Sequence, residues 1–439
     1  MGVSKLSSPR EQIDPLRFSL SYSINNGVAT RELSLGKRLT VTSRNTDARL
    51  VDPFSAWWRG YLTGETSVDS PNASQTLNVI DLFSSVGGLS LGFQEAALAA
   101  GFRMQVKLAA DVDGDALDVY RHNHQPKRVA NESVSDLVSF KIAGRGESAK
   151  FAGAPVISSE NLRAAGKIDV VLAGPPCQGH SSLNNHSRGD DPRNDLYLTV
   201  PAIAIATGAK AIIIENVPNV VRDKQGVVST TITLLTKAGY HVTSAVLSAN
   251  KLGWPQTRRR YFLVATLERQ PLDLPALAEH LAHQALPLSW AIGDLNRKPL
   301  SEEDVMFSVP KMSQENQARV QWLFERDEYN LPDRLRPKCH QDGNHTYPAI
   351  YGRMKWDRPA GTVTGGFLSP GRGRFIHPLQ PRVLTPREAA RVQGFPDWFD
   401  FDAISSGPLR RGHLSKWIGD AVPPILGYVA GLSAISGIR

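Results

Sequence analysis

A cysteine in the stretch Ala-Gly-Pro-Pro-Cys-Gln-Gly-His-Ser-Ser, residues 173–182, is one of only two in 439 residues. The apolar run at 168–172 predicts a strand, so Cys177 would lie at the carboxyl end of that strand, where ligands collect in open α/β sheets. Most lone cysteines are small core hydrophobes. A Pro-Pro-Cys-Gln-Gly loop instead favours an exposed position that supports a thiolate. We therefore predict that Cys177 is a nucleophile, whereas Cys339, with no motif around it, has a structural or incidental role.

Glu215 and Asn216 end a second apolar run, Ala-Ile-Ile-Ile-Glu-Asn. If its strand runs parallel to the one before Cys177, both carboxyl ends lie at the same edge of the sheet. A carboxyl group desolvated there keeps a raised pKa and can share a proton with a substrate. A thiol and a carboxyl group at one edge would form a nucleophile and a proton donor. The alternative is that Glu215 only caps a loop.

Three polar side chains alternate in the segment Trp-Pro-Gln-Thr-Arg-Arg-Arg-Tyr-Phe-Leu-Val-Ala, namely Gln256, Arg258 and Arg260. Because side chains alternate across a strand, all three could point to one face. Guanidinium groups there could hold a planar polar substrate or a phosphate. The alternative is a solvated run of charges, which is the usual situation for adjacent arginines.

A glycine turn follows a third apolar run in Val-Ile-Asp-Leu-Phe-Ser-Ser-Val-Gly-Gly-Leu-Ser-Leu-Gly-Phe, residues 79–93. The strand ends near Asp81, and glycines 87 and 88 lead into a helix whose free N–H groups can meet polar ligand atoms. The spacing is not that of the dinucleotide fingerprint. Asp111, after the next β-like run, is placed to bind ribose hydroxyls, and Glu132 could bind an adenine amino group. The alternative is that these residues cap ordinary α/β loops.

The elements that must position these residues follow a β-α-β-α pattern from Leu77 to Thr266. Its Val-, Ile- and Leu-rich runs do not alternate strictly, which predicts strands covered on both faces of a parallel sheet. The pattern is lost over 267–383, which predicts a second, smaller and irregular module. Two amphipathic helices are expected after it, the first with Thr385 as its N-cap and Glu388 completing a capping box.

The first 75 residues show no motif, although the adjacent Trp57 and Trp58 suggest a docked segment rather than a free tail. This extension could cover the helices on the glycine-loop side, contact nucleic acid, or meet a partner.

Composition narrows the class of protein. The chain is 41% hydrophobic and 21% charged, which is typical of a soluble globular protein. No apolar run reaches the length of a membrane span, and no signal-peptide layout precedes the fold. Two cysteines indicate a reducing compartment, so we expect a cytoplasmic protein. A net charge of +8 suits a polyanionic partner, though by itself only weakly.

Six of these segments occur in the order found in cytosine-C5 DNA methyltransferases, which the chain resembles over about 77–265 and 350–435. They are DLFSSVGGLSLGF, GPPCQGHSS, ENVPNV, QTRRRYFLVA, LTPREAARVQGFPD and GDAVPP. The resemblance implies an α/β, Rossmann-like S-adenosylmethionine-dependent methyltransferase fold with a mostly parallel sheet. It implies a catalytic domain at 76–266 and 384–439, a target-recognition domain at 267–383, and an extension of unknown role at 1–75.

The resemblance also implies a reaction. Attack of the Cys177 thiolate on carbon 6 of a flipped cytosine would make carbon 5 nucleophilic. Glu215 would hold the N3 and amino edge of the ring, and Arg258 would orient its O2 atom. Carbon 5 then accepts the methyl group, loses its proton, and the thiolate leaves.

Residue by residue, the resemblance implies a catalytic set and a cofactor set, and no metal. The catalytic set is Cys177, Gln178, Glu215, Asn216, Arg258 and Arg260, with Asn216 anchoring the catalytic loop. The cofactor set is Asp81, Phe83, Gly87, Gly88, Leu89, Asp111, Val112, Glu132, Pro175, Asp420 and Ala421. One departure is Asp420, where the family usually has Asn, and it bears on cofactor affinity or local hydrogen bonding.

We therefore expect a site-specific DNA (cytosine-5-)-methyltransferase that protects host DNA in a restriction-modification or other defence system. Its expected partners are double-stranded DNA, on which it would act as a monomer near the nucleoid, and a cognate restriction endonuclease or defence component. Two alternatives stay open, a tRNA cytosine-C5 methyltransferase and a catalytically silent DNA-binding relative.

Overall fold

The computed structural model describes residues 18–47, 49–64, 75–176, 196–341 and 349–438. The strands are β1 (Phe18–Asn25), β2 (Val28–Leu35), β3 (Arg38–Asn45), β4 (Gln75–Leu82), β5 (Phe102–Ala110), β6 (Val129–Ala130), β7 (Val138–Ser139), β8 (Ile142–Ala143), β9 (Lys150–Phe151), β10 (Val156–Ile157), β11 (Val170–Ala173), β12 (Ala211–Asn216), β13 (His241–Ser248) and β14 (Arg259–Thr266). The α-helices are α1 (Pro53–Thr63), α2 (Gly88–Ala99), α3 (Gly114–His124), α4 (Glu160–Ala164), α5 (Leu196–Thr207), α6 (Val227–Lys237), α7 (Leu274–His280), α8 (Leu288–Ile292), α9 (Gln314–Glu325), α10 (Pro386–Gln393), α11 (Arg411–Asp420) and α12 (Pro424–Ser436).

The central sheet joins seven of the described strands in the order β13-β14-β12-β11-β4-β5-β6. The pairs from β12 to β6 are parallel, while β14 runs antiparallel to both β12 and β13. All residues of β11 and β12 are buried, as their unalternating apolar sequences predict. The predicted α/β fold with a mostly parallel sheet is confirmed.

Two helical layers cover the sheet. On one face, α2 and α12 share a hydrophobic cluster with β4, β12 and β14. On the other face, α5 and α6 pack against the opposite side chains of the same strands. The prediction that the last helix is amphipathic is wrong, because twelve of the thirteen residues of α12 are buried. That helix packs against α2 and the sheet together and so has no solvated face.

The N-terminal extension contains a three-stranded antiparallel sheet, β1-β2-β3, followed by α1. A two-residue turn of Asn26 and Gly27, both with positive φ, joins β1 to β2. Asp52 caps α1 by accepting from the Ser55 N–H at 2.7 Å. Trp57 and Trp58 are fully buried in the cluster that holds α2 and α12, so the predicted docking of this segment is confirmed.

Among the described residues between β14 and α10, regular structure is sparse, as the loss of pattern predicts. Helix α7 still packs in the cluster of α2 and α12, whereas α9 belongs to a small separate cluster around Val320 and Ile376. The capping box of α10 is present as predicted: Thr385 accepts from the Glu388 N–H at 3.2 Å, and Glu388 accepts from the Thr385 N–H at 2.8 Å. Among the described residues no single helix could cross a membrane; the bent pair α11 and α12 passes on length and composition alone.

Candidate active site and cofactor pocket

Three strand ends bring the candidate residues to one edge of the sheet. In the register of the parallel strands, Ala173 of β11 lies between Leu82 of β4 and Ile214 of β12. The next residues, Phe83, Gly174 and Glu215, therefore lie at the same level. Phe83 and Gly174 start loops there, whereas β12 continues through Glu215 to Asn216. The prediction that the Cys177 loop and the Glu215 strand end share an edge is supported as far as Pro176, because Cys177 and Gln178 lie outside the described residues.

The Asn216 side chain ties the two loops together. Its Nδ2 donates to the Pro175 carbonyl at 3.2 Å, and its Oδ1 accepts from the Val217 N–H at 2.8 Å. Asn216 is buried, so both bonds are shielded from water. The contact fixes the main chain two residues before Cys177.

Glu215 is a buried carboxyl group next to a guanidinium. Its Oε1 lies 2.8 Å from Arg260 Nε, and its Oε2 lies on the side of Gly174, where a Cβ would stand 3.7 Å away. Burial raises the pKa of Glu215, while Arg260 and Arg258 act in the opposite direction. A carboxyl group in this state can hold or give up a proton closer to neutral pH than an exposed glutamate can.

Arg258 and Gln256 connect the site to later parts of the chain. Arg258 is almost fully buried, and its Nη1 donates to the Val363 carbonyl at 2.7 Å. Its Nη2 donates to the Asp420 carbonyl at 3.3 Å. Gln256 Nε2 donates to the Val392 carbonyl at 3.0 Å, at the end of α10. Both side chains are buried and hydrogen-bonded, so Arg258 is not part of a run of solvated charges.

The loop after β4 has a backbone shaped for close approach. Phe83 and Ser85 both adopt positive φ, at +57° and +46°. The Ser85 N–H donates to Asp111 Oδ2 at 2.8 Å, and the Asp113 N–H donates to Asp111 Oδ1 at 2.9 Å. Asp111 is thereby oriented at the end of β5, and each of its oxygens keeps a further lone pair for a ligand. Beside it, the apolar side chain of Val112 is 74% exposed.

Glycines 87 and 88 have no room for a side chain. Gly87 has a φ of +94°, and a Cβ there would lie 2.2 Å from Nε2 of the partly buried His124. A Cβ at Gly88 would lie 2.8 Å from the Val422 carbonyl and 3.2 Å from the Ala421 Cβ. Leu89 is buried directly behind them. The turn therefore abuts the segment after α11, which places Asp420 and Ala421 beside the loop although they are distant in sequence.

Asp81 differs from the other members of the cofactor set. It is buried, and its Oδ2 accepts a 2.6 Å hydrogen bond from Ser90 of α2. The Ser90 hydroxyl also lies 2.7 Å from the Tyr120 hydroxyl. Burial raises the pKa of Asp81 to about 7, although the Ser90 and Tyr120 hydrogen bonds act in the opposite direction. The carboxyl group thus lies beneath the loop, where it supports the loop from inside.

Glu132 follows the edge strand β6 and is held by two residues that sequence reasoning missed. Its Oε1 accepts from Ser159 Oγ and from Asn161 Nδ2, both at 3.0 Å. Asn131, also missed, donates to the Asp111 carbonyl at 3.1 Å and links the two acidic positions. No motif marks these three residues, because their role depends on contacts between distant segments.

Lys416 of α11 is a further residue that the sequence did not reveal. Its Nζ lies 2.6 Å from Asp113 Oδ2, which also accepts from Trp417 Nε1 at 3.2 Å. These bonds hold α11, which ends at Asp420, against the start of α3. Among the described residues, no group of three or more His, Cys, Asp or Glu side chains could hold a metal ion.

Several known proteins are similar to this chain in sequence or in fold. The family model for C-5 cytosine-specific DNA methylase matches residues 77–433. The chain is 41% identical over 362 residues to the type II methyltransferase M1.BsuMI of Bacillus subtilis, covering 82% of this chain and 80% of that protein. It is 28% identical to the type II methyltransferase M.AgeI of Thalassovita gelatinovora, covering 80% of this chain and 97% of that protein.

The solved structure of the Dnmt2 methyltransferase of S. pombe has the same fold, with a TM-score of 0.51 at 17% identity, covering 81% of this chain and 98% of that one. The family uses S-adenosylmethionine as its methyl donor. From the match over 77–433 and the 41% identity, the chain belongs to the C-5 cytosine-specific DNA methylases, which methylate carbon 5 of cytosine in DNA.

Proposed function

We propose that the protein methylates one specific sequence in double-stranded DNA with Cys177 as its covalent nucleophile, and that it protects host DNA in a restriction-modification system. The proposed roles are supported by the shared sheet edge. There Asn216 bonds to Pro175, two residues before Cys177 in the sequence, and Glu215 is adjacent to Asn216. The type II methyltransferase names of its relatives support the restriction-modification role. A cognate endonuclease is the partner that such a role requires.

The cofactor set fits S-adenosylmethionine by the chemistry of its donors and by the close approach of its backbone. The side-chain side of the glycine turn at 87–88 is filled by His124 and Val422, so its main chain would receive the methionine part. Phe83, Leu89, Asp420 and Ala421 are the other residues that we assign to this part of the cofactor. Asp111 would bind the ribose hydroxyls, with Val112 offering apolar contact to the adenine and Glu132 a polar one. When bound, the cofactor supplies an electrophilic methyl group.

The residues of the chain prepare cytosine to accept that group. The Cys177 thiolate forms a bond to carbon 6, and electron density moves to carbon 5 and onto N3. Glu215, whose burial raises its pKa, gives a proton or a strong hydrogen bond to N3 as charge develops there. Arg260 keeps the carboxyl group in place. Both Nη atoms of Arg258 donate to main-chain carbonyls, so Arg258 would position the surrounding segments rather than the O2 edge of the ring. After methyl transfer a base removes the proton from carbon 5, and the thiolate leaves.

The segment 267–383 is the part that we assign to target recognition. Its early helix α7 packs with α2 and α12, so the base-reading surface would lie in the later part, around α9 and the segments near Ile376. The net charge of +8 suits contacts with DNA phosphates, and binding should weaken with added salt. We expect the enzyme to act as a monomer on DNA in the cytoplasm.

The deciding experiment is covalent trapping on duplex DNA of random sequence that carries 5-fluorocytosine, with S-adenosylmethionine present. Fluorine blocks the last proton removal, so the wild-type enzyme should form a denaturation-resistant adduct, and C177A should form none. Sequencing the captured DNA would return the target site. An adduct with fluorinated tRNA but not with DNA would establish the RNA alternative. If neither substrate is trapped while DNA is still bound, the catalytically silent relative is the correct interpretation.

A further inference from the structure

The N-terminal module, residues 18–64, lies outside the residues 77–433 that the family model matches. We propose that this module positions two parts of the enzyme at once, the helix that opens the cofactor loop and the base of the recognition segment. The inference rests on the proposed roles of the 83–88 loop and of 267–383. It assigns positioning roles to Arg44 and Arg59, which no sequence motif marks.

The first contact is a buried ionic cluster between the module and α2. Arg31 Nη1 lies 3.3 Å from Glu95 Oε2, and Arg44 Nη2 bonds to Glu95 Oε1. The three side chains are 1%, 5% and 5% exposed, and the Arg31 guanidinium stacks 4.2 Å from the Trp57 ring. A buried carboxylate is costly unless it is paired, so Glu95 binds α2 firmly to the module.

The position of α2 sets the position of the cofactor loop. The helix begins at Gly88, the second glycine of the turn, and Glu95 lies two turns later on the same rigid element. At its start, the helix has no spare room against the Val422 carbonyl. A small rotation or shift of α2 would therefore move the glycine turn relative to Asp111 and Ala421.

The second contact holds the recognition segment where the chain enters it. Arg59 Nη2 lies 2.7 Å from Asp294 Oδ1, just after α8. Arg59 Nη1 also donates to the Ala291 carbonyl at 3.3 Å and to the Trp290 carbonyl. Asp294 is shared with Arg391 of α10 at 3.1 Å. One arginine of the module thus joins α1 to both α8 and α10.

The module also contacts the chain where it returns from the recognition segment. The Tyr61 hydroxyl donates to the Gly394 carbonyl at 3.1 Å, and the Asp397 N–H donates to the Leu62 carbonyl at 2.8 Å. Helix α1 therefore contacts segments on both sides of the recognition part, 290–294 in its early portion and 394–397 shortly after its end. Displacements of about 1 Å at such a base can change reaction rates by about a hundredfold, because the reacting groups must meet in a narrow geometry.

The contact of Arg44 with Glu95 and the contact of Arg59 with Asp294 predict different effects on S-adenosylmethionine and on DNA. Removing the Arg44 guanidinium should weaken S-adenosylmethionine binding, because α2 loses half of its anchor. Removing the Arg59 guanidinium should raise the KM for DNA, because the recognition segment loses a bond at its base. Neither arginine is near Cys177 in sequence, and neither belongs to the proposed catalytic set.

The test measures both affinities in the full-length enzyme carrying R44M, R59A, R59K or the control R49A. Calorimetry gives the dissociation constant for S-adenosylmethionine without turnover, and steady-state methylation gives the KM for DNA and kcat. We expect R44M to weaken cofactor binding about tenfold, and R59A to raise the KM for DNA about tenfold with cofactor binding unchanged. R59K, which keeps the charge, should recover part of the loss.

Arg49 belongs to the same module, but its side chain is 90% exposed and pairs with Asp47 of the module itself, so R49A should leave both constants unchanged. The proposal is overturned if R59A leaves the KM for DNA at the wild-type value. It is also overturned if R44M and R59A shift both constants equally, since that would indicate general destabilisation. If R44M does not fold, the comparison of R59A with R59K still tests the proposal. Wild-type trapping on DNA tests the proposed function separately, so the two failures are distinguishable.

Discussion

At the scale of single residues, the Glu215 carboxyl group has an environment made for proton sharing. It is buried, which raises its pKa, and Arg260 holds one oxygen while the other lies towards Gly174. An isolated buried carboxylate would be expensive, and a fully solvated one would be a weak acid catalyst at neutral pH. The ion pair with Arg260 lowers the energetic cost of the buried carboxylate, while burial keeps its pKa raised.

Replacing Glu215 by glutamine should therefore lower kcat by about 10²- to 10⁴-fold, because the side chain can no longer give up a proton to N3. Single-turnover methylation at saturating DNA measures the loss. The dissociation constant for S-adenosylmethionine should stay at its wild-type value, since Glu215 is outside the proposed cofactor set. An unchanged single-turnover rate would contradict the role.

Asp81 provides a prediction about pH and stability. Its pKa in the fold is about 7, above its ordinary value of 3.8. A raised carboxyl pKa gives a stabilising contribution that is complete below the ordinary pKa and is lost as the pH rises through about 7. The D81N variant lacks this titration. Between pH 4 and 8, wild type should therefore lose about 4 kcal/mol of unfolding free energy relative to D81N, at 1.36 kcal/mol per pKa unit.

Urea unfolding at several pH values measures this difference. Parallel curves for the two proteins would mean that Asp81 is ionised throughout and that the loop is supported in another way.

At the scale of elements, the contact between α2 and α12 depends on glycine. A Cβ at Gly92 would lie 2.4 Å from the Pro424 carbonyl and 2.8 Å from the Gly427 Cα, and neither backbone can move aside cheaply. Gly412, in α11, has open space around it. The two positions share the residue type and helical conformation, so they form a matched pair.

We expect G92A to destabilise the protein by about 2 kcal/mol or more through overpacking. G412A should instead stabilise it by about 0.5–1 kcal/mol, because alanine is the better helix former. Thermal unfolding of both variants checks the pair. If G92A were neutral, the two helices could not be as closely packed as described.

The same elements show how far sequence reasoning reached. The strands that carry the site, β4, β11, β12 and β14, were predicted because buried runs of Val and Ile have few other interpretations. Helix α12 was predicted as amphipathic, although periodicity cannot report a helix enclosed on all sides. The β1-β2 hairpin was missed even though Asn26-Gly27 between two alternating runs is a strong hairpin signal.

In the candidate site, motif residues such as Asn216 and Asp111 came together at the sheet edge. Their supports, including Ser159 and Lys416, were not foreseeable, because each is recruited from a segment far away in sequence. The position of Asp81 beneath the loop was likewise not visible in a motif. Sequence pattern locates strand ends, whereas the direction of a side chain at a strand end depends on packing.

At the scale of the whole molecule, the N-terminal module, α2, α7 and α12 share a single hydrophobic cluster that runs from Phe18 to Ile438. Trp58 lies inside it, fully buried, with Tyr61, Trp254 and Tyr428 at ring distances between 5.4 and 5.7 Å. The module and the catalytic domain therefore have one core, and we expect them to unfold together.

Substituting Trp58 by alanine should cost about 3–5 kcal/mol and keep one cooperative transition. Trp322 of α9 is only partly buried in a separate small cluster, so W322A should cost much less. Far-UV circular dichroism reports the unfolding of the whole protein, and limited proteolysis within the module reports the unfolding of the module. Both are measured as a function of denaturant concentration. If the module unfolded first, the shared core would be an incorrect description.

The packing of α12 against α2 has a consequence for how the protein comes into being. Gly92 and the helix that covers it are separated by roughly 330 residues of chain. At about 5–20 residues per second, a ribosome needs roughly 15 to 70 s to travel that distance. Through that interval the nascent protein has the proposed cofactor loop without the helix that packs behind it, so we expect each new copy to be inactive until its last helix is synthesised.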